Sequence, residues 1–247
     1  MSLPATLARA PAPAVVAARV EDVWRRVAAA GRHRDSVRLV AVTKGFDTSA
    51  VTAALAAGVH DIGENYAAEL VAKAASLDAQ ISLDAPTSTA AGASRPRWHF
   101  LGAVQRRRVP ALAPLVDCWH TLARVVEGEA IARRAPGARV LVEVELSGLP
   151  DRNGCAPEAV PALVGALAAL ELDVAGLMVV APPGPAAVAR AAFRTTARLA
   201  RDLGLTELSM GMTGDLDVAL EEGATMVRMG QALFGPRPGV GPGAHPS

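Results

Sequence analysis

Eight short apolar runs, separated by segments of helical period, constrain this chain more than any other feature. They lie at about 38–43, 59–63, 98–102, 115–119, 139–146, 174–180, 206–210 and 225–229. Val, Leu, Ile and Ala dominate them, as strands covered on both faces require. The segments between them read as helices and stop at glycines such as Gly58, Gly137, Gly204 and Gly223. Strand–helix alternation gives a parallel sheet with right-handed crossovers. Eight such units in 247 residues predict an α/β fold, a single (β/α)8 TIM barrel, which needs about 250 residues. An extra N-terminal helix precedes the first unit. Val16, Val20, Val23, Trp24 and Val27 form its apolar stripe, with Arg19, Glu21, Arg25 and Arg26 off it.

The domain reading follows. Residues 1–15 are Ala- and Pro-rich and predicted to be a flexible N-terminus; the barrel covers 16–237; 238–247 is a flexible Pro/Gly tail. Within the barrel, residues 78–97 lose all periodicity and read as a flexible surface insertion. No domain is expected after residue 237.

Composition removes several function classes. A net charge of +1 gives no case for nucleic acid or membrane binding. Cys118 and Cys155 lack metal-ligand spacing and suggest a reducing compartment, so a cytoplasmic location without bound metal is expected. The prolines near the start argue against a signal peptide, and no stretch is long enough to span a bilayer.

In a barrel of this kind chemistry belongs at the carboxyl ends of the strands. Lys44 follows the first run, in VAVTKG; Glu64 and Asn65 follow the second; His99 lies within the third; His120 comes after the fourth, where with Thr121 it is expected to begin the next helix. Arg152 and Asn153 follow the fifth, Ser209, Met210 and Gly211 close the seventh, and Arg228, Gly230 and Gln231 close the eighth. Lys44 stands out by composition, because 25 basic side chains include only two lysines, Lys44 and Lys73. Unlike arginine, a desolvated lysine can lose its proton and form a Schiff base with a carbonyl. The competing reading is a lysine that snorkels its head to the rim. LSMGM (208–212) and VRMGQ (227–231) end in Ser and Gly before helices, and their N–H groups, with the Ser209 hydroxyl, could grip a phosphate. A phosphate anchor with a Schiff-base lysine describes a pyridoxal phosphate pocket or a phosphosugar aldolase.

VAVTKG, GENY, RWHFLG, LSMGM and VRMGQALFG, in this order, resemble the pyridoxal phosphate homeostasis proteins over about residues 16–237. These are alanine-racemase-like barrels without the racemase's second domain. The resemblance implies pyridoxal 5′-phosphate held as an internal aldimine on Lys44. It sets Ser209, Gly230 and Gln231 at the phosphate, beside the Gly211 N–H read there from the strand end, Arg228 beside the pyridine nitrogen, and Asn65 and His99 near the ring. Three places depart from the family pattern: VTKG, the three arginines after Gln105, and Asn153 before Gly154.

What the resemblance implies is a carrier in vitamin B6 homeostasis, without substantial catalysis and with no catalytic residue of its own. A permanent cation at the ring nitrogen weakens the electron sink. Tyr66 is the only tyrosine, and His99 and His120 are the remaining acid–base candidates. The alternatives are an amino-acid racemase using the same cofactor and an aldolase acting through Lys44. The expected partners are pyridoxal phosphate, amino acids and apoenzymes that use the cofactor, with the chain itself a monomer.

Overall fold

The eight apolar runs form the strands β1 (Arg38–Val42), β2 (Asp61–Glu64), β3 (Arg97–Phe100), β4 (Val116–Leu122), β5 (Arg139–Val144), β6 (Asp173–Val179), β7 (Glu207–Ser209) and β8 (Met226–Met229). They close in sequence order, each parallel to its neighbours, with β8 pairing back onto β1. The helices are α1 (Pro13–Ala29), α2 (Thr48–Ala56), α3 (Ala67–Asp84), α4 (Val109–Leu112), α5 (Val125–Ala132), α6 (Val160–Ala169), α7 (Ala186–Asp202), α8 (Leu216–Glu221) and α9 (Gln231–Phe234). This computed structural model describes residues 7–84, 95–150 and 152–236.

Strand alternation divides the core in two. Outward residues such as Leu39, Ala41, Ile62, Trp98, Phe100, Trp119, Val142, Leu177, Val227 and Met229 pack under the helices in one large apolar cluster. The inward set is small and polar: Asp61, His99, His120, Glu143, Ser209 and Arg228 are all buried, beside a small apolar group of Cys118, Leu141, Ala175 and Met178. At the amino ends of the strands Arg97 pairs with Asp61 at 2.6 Å, Arg38 with Glu207 at 3.3 Å, and Arg139 with Glu207 at 2.8 Å. This charged plug closes the mouth opposite the lysine.

Four expectations change. The N-terminal helix starts at Pro13, whose fixed φ suits the first helical turn. Residues 8–10 pair with the barrel instead of lying loose: Ala8 N donates to Gly45 O at 3.1 Å, Asp47 N to Ala8 O at 2.8 Å, and Ala10 N to Ser49 Oγ at 2.9 Å. The segment 78–97 is in part regular, because α3 runs on to Asp84 and β3 begins at Arg97; residues 85–94 lie outside the described residues. The apolar stripe fades there, but a helix can continue on intrinsic propensity. His120 and Thr121 belong to β4 and do not begin a helix; the inward imidazole and the β-branched threonine prolong the strand. The expected tail at 238–247, and residues 1–6 of the expected N-terminus, are outside the described residues.

Closure between β6 and β7 depends on a missing side chain. A Cβ on Gly176 would stand 1.9 Å from Glu207 O on the neighbouring strand. Gly176→Ala should therefore force the two strands apart and cost about 1–3 kcal/mol, as overpacking does. Urea denaturation of the purified variant measures it, and an unchanged midpoint would contradict the close approach.

Candidate functional site

Lys44 occupies a tight turn at the carboxyl end of β1. Phe46 N donates to Thr43 O at 3.1 Å, closing four residues with Lys44 second and Gly45 third. Gly45 has φ +80°, the left-handed value that the third position of a type II turn demands. Lys44 is half-buried.

Register places the other strand ends around it. Val42 pairs with Gly63 of β2, and Ala41 with Met229 of β8, so the exits of β2 and β8 flank the turn. A Cβ on Gly230 would lie 3.3 Å from Val42 O; glycine lets the eighth exit press against the first. Asn65, just past β2, donates from Nδ2 to Leu101 O at 3.4 Å, while its buried Oδ1 has no partner among the described residues.

The exits of β7 and β8 are joined. Arg228 N donates to Gly211 O at 3.0 Å, and Ala232 N to Thr213 Oγ1 at 3.2 Å. Gly211 has φ +94°, and a Cβ there would fall 2.5 Å from that of Ala219. Gly230 and Gln231 open the short α9 beside this junction.

Beneath the exits runs a buried chain of polar side chains. Arg228 Nη1 lies 2.7 Å from Ser209 Oγ, Ser209 Oγ 2.9 Å from His120 Nδ1, His120 Nε2 2.8 Å from His99 Nδ1, and His99 Nε2 2.8 Å from Asp61 Oδ1. A carboxylate can only accept, so His99 Nε2 donates to Asp61. With both rings neutral, each remaining proton then points toward Asp61. Ser209 Oγ–H donates to His120, and Arg228 donates to Ser209. Burial, with His99 and Arg228 nearby, pushes the His120 imidazole well below its ordinary value. Burial alone would raise the Asp61 carboxyl, but hydrogen bonds from His99 and Arg97, with the charge of Arg97, overcome it and hold it well below the usual range.

Arg228 also donates to Ser209 O at 2.6 Å and Val179 O at 2.9 Å. Its guanidinium, desolvated in the barrel, is lowered to about 10 and stays charged at neutral pH. Glu143, on β5, is raised by burial and accepts a hydrogen bond from Asn153 Nδ2, which also reaches Thr121 O at 3.0 Å.

Of the sequence-predicted residues, Lys44, Asn65, Gly211, Gly230 and Gln231 therefore lie at the exits of β1, β2, β7 and β8. His99 lies deeper, in the chain. Ser209 differs from its expectation: its hydroxyl is fully buried and engaged by Arg228 and His120, not turned to a phosphate at the rim. The hydroxyl at the junction of the last two loops belongs to Thr213. Sequence reasoning also missed Asp61, Glu143 and Lys73. A charged residue at an inward strand position was a readable signal for the first two; the rarity of lysine was the signal for the third.

Two other places invite a ligand less well. His99, Cys118 and His120 bring possible metal-binding atoms within 4.8 Å of one another. Every ring nitrogen there already has a protein partner, and burial and Glu207 hold the Cys118 thiol protonated. A groove of about 440 Å³ at the amino mouth is lined by Arg38, Asp61, Arg97 and Glu207, whose charges are spent on one another.

Comparison with known proteins gives a consistent result. Residues 17–238 match the model of the alanine racemase N-terminal domain. A pyridoxal phosphate homeostasis protein of Pseudomonas aeruginosa is 38% identical over 232 residues, 91% of this chain and 94% of that one. One from Deinococcus radiodurans is 37% identical over 226 residues, 90% of this chain and 98% of that one. The structure of PipY from Synechococcus elongatus with PLP bound has a TM-score of 0.73 and 31% identity, covering 89% of this chain and 99% of that one.

Asp61 yields a test of the chain. Its folded pKa is depressed, so it stabilises the fold above its ordinary value of 3.8, and the contribution fades as pH falls below that. Asp61→Asn should thus destabilise at pH 7, with the gap to wild type narrowing under acid. Guanidinium melts at several pH values check this; a gap that stayed constant would remove the charged role.

Proposed function

The chain belongs to the pyridoxal phosphate homeostasis proteins, within the alanine racemase N-terminal domain family, and from that membership and the geometry above we propose that it holds pyridoxal 5′-phosphate at the carboxyl end of its barrel as a carrier in vitamin B6 homeostasis. The observation that carries this reading is a lysine on a fixed turn, flanked in register by the exits of β2 and β8.

The residues present fit the group. Lys44 supplies an amine to hold the aldehyde. Asn65 Oδ1, without a partner among the described residues, supplies an acceptor that a ring hydroxyl would satisfy. The loops after β7 and β8, the usual phosphate site of this fold, offer backbone N–H groups around Gly211, Gly230 and Gln231, with the Thr213 hydroxyl between them. Arg228 would offer a cation to the ring nitrogen, and Ser209 and His99 would serve by holding Arg228 and the chain under it. Once bound, pyridoxal phosphate supplies an aldehyde that captures amines and a ring that withdraws electrons from the adjoining carbon.

Carriage is favoured over racemisation by the state of the acid–base groups. Both nitrogens of His99 and of His120 are engaged by protein partners in the interior. Tyr66 is exposed at the rim. A cation at the ring nitrogen disfavours a protonated ring, which carbanion chemistry uses. Amino acids are then ligands and not substrates, and apoenzymes that use the cofactor are its recipients. We place the protein in the cytoplasm as a monomer; no helix among the described residues is long and apolar enough to cross a membrane.

Borohydride treatment of the loaded protein should fix the cofactor on Lys44, read by peptide mapping; an adduct on Lys73, or none, would refute the assignment. With L-alanine and other common amino acids, α-proton exchange and formation of the D-isomer should stay negligible. Turnover in the ordinary enzymic range of ~1–10³ per second, abolished by Lys44→Ala, would instead establish the racemase.

A further inference from the structure

The second lysine of this arginine-rich chain is buried beneath the first. Lys73 lies on α3 with its side chain 2% exposed. Its ammonium donates to Thr43 O at 2.8 Å, to Glu64 Oε1 at short range, and to Glu69 Oε2 at 3.4 Å. Three N–H donors thus meet three acceptors, the full capacity of the group. Glu69 and Lys73 are four residues apart on one helix face, with the acid toward the amino end, the favourable order.

The same carboxylates hold the turn from its other side. Thr43 Oγ1 donates to Glu64 Oε1 at 2.6 Å, and Gly45 N donates to Glu69 Oε2 at 2.8 Å. The residue before Lys44 and the residue after it are therefore both tied into one buried cluster. The N-terminal arm completes the frame through Ala8 N and Gly45 O.

We propose that Lys73, with Glu64 and Glu69, is the positioning device for Lys44: it fixes the Thr43–Gly45 turn so that the Lys44 amine is presented to the aldehyde of the cofactor. The proposal rests on the reading of Lys44 given above. Burying an ammonium with two carboxylates is a weak way to gain stability. It is a strong way to fix a backbone, because each bond is directional and has no water to replace it. It also explains why lysine persists here. A planar guanidinium presents its donors in one plane and does not suit three acceptors gathered around one point.

Lys73→Met alone would strand two buried carboxylates and endanger folding. The informative variant is Lys73→Met with Glu64→Met and Glu69→Met, which removes every side-chain bond of the clamp without leaving unpaired charge. Two ligands separate its effects: pyridoxal phosphate, and 4-deoxypyridoxine phosphate, which keeps ring and phosphate but lacks the aldehyde. The expected result is that the triple variant binds the deoxy analogue within about threefold of wild type, one hydrogen bond's worth or less. Its rate of covalent capture on Lys44, followed by absorbance and borohydride trapping, falls about ten- to a hundredfold, the scale set by misplacing a reacting group. Equal loss for both ligands would make the cluster merely structural, and unchanged capture would refute the proposal. Failure of the underlying reading shows elsewhere: Lys44→Ala on the wild-type background would then bind pyridoxal phosphate as tightly as wild type.

Discussion

A parallel barrel normally fills its centre with branched apolar side chains. This one carries charged and polar groups inward, and the structure depends on each of them finding a partner, because an unpaired buried donor or charge costs far more than a made bond returns. The chain from Arg228 through Ser209, His120 and His99 to Asp61 meets that condition along the whole depth of the barrel. Its lower end merges with the ion pairs of Arg97, Arg38 and Glu207, and its upper end fixes the guanidinium below the strand exits. The polar interior is thus a support for the site, set where loops alone could not hold a cation still.

The same logic acts at the edge of the barrel. The turn bearing Lys44 is short and would be free to move if only its own hydrogen bond held it. Lys73, Glu64 and Glu69 attach it to α3, and Ala8 attaches it to the arm before α1. Rigidity at this point would serve the proposed capture of an aldehyde on Lys44, since such a bond forms only when the amine is presented correctly. The two lysines differ in setting: one is half-buried between the exits of β2 and β8, and the other is sealed away.

Much of the fold was legible in the chain. Buried parallel strands are near-continuous apolar runs, and RVLVEV in β5 or VAGLMV in β6 can hardly be read otherwise. Glycines with positive φ, such as Gly58, Gly137 and Gly204, marked the helix ends. The errors fell where a local signal was weak. His120 looked like the start of a helix because nothing nearby shows that an inward imidazole has a partner on β3. Ser209 looked like a phosphate ligand because it closes a strand two residues before Gly211 and the resemblance set it there, while its actual partners are 89 and 19 residues away.

By itself the sequence determined the number and order of strands, the barrel, and the placing of Lys44, Asn65, Gly211, Arg228, Gly230 and Gln231 at one end, since these follow from local periodicity and from where each strand stops. Only the tertiary structure decided that His99, His120, Ser209 and Arg228 form one hydrogen-bonded chain and that Lys73 holds the turn of Lys44. Those pairings come from closure, which sets β8 against β1 and turns alternate residues of all eight strands toward a common axis. Directional bonds between side chains distant in sequence depend on angstrom-scale placement in space, and a linear pattern of residue types carries no such distances.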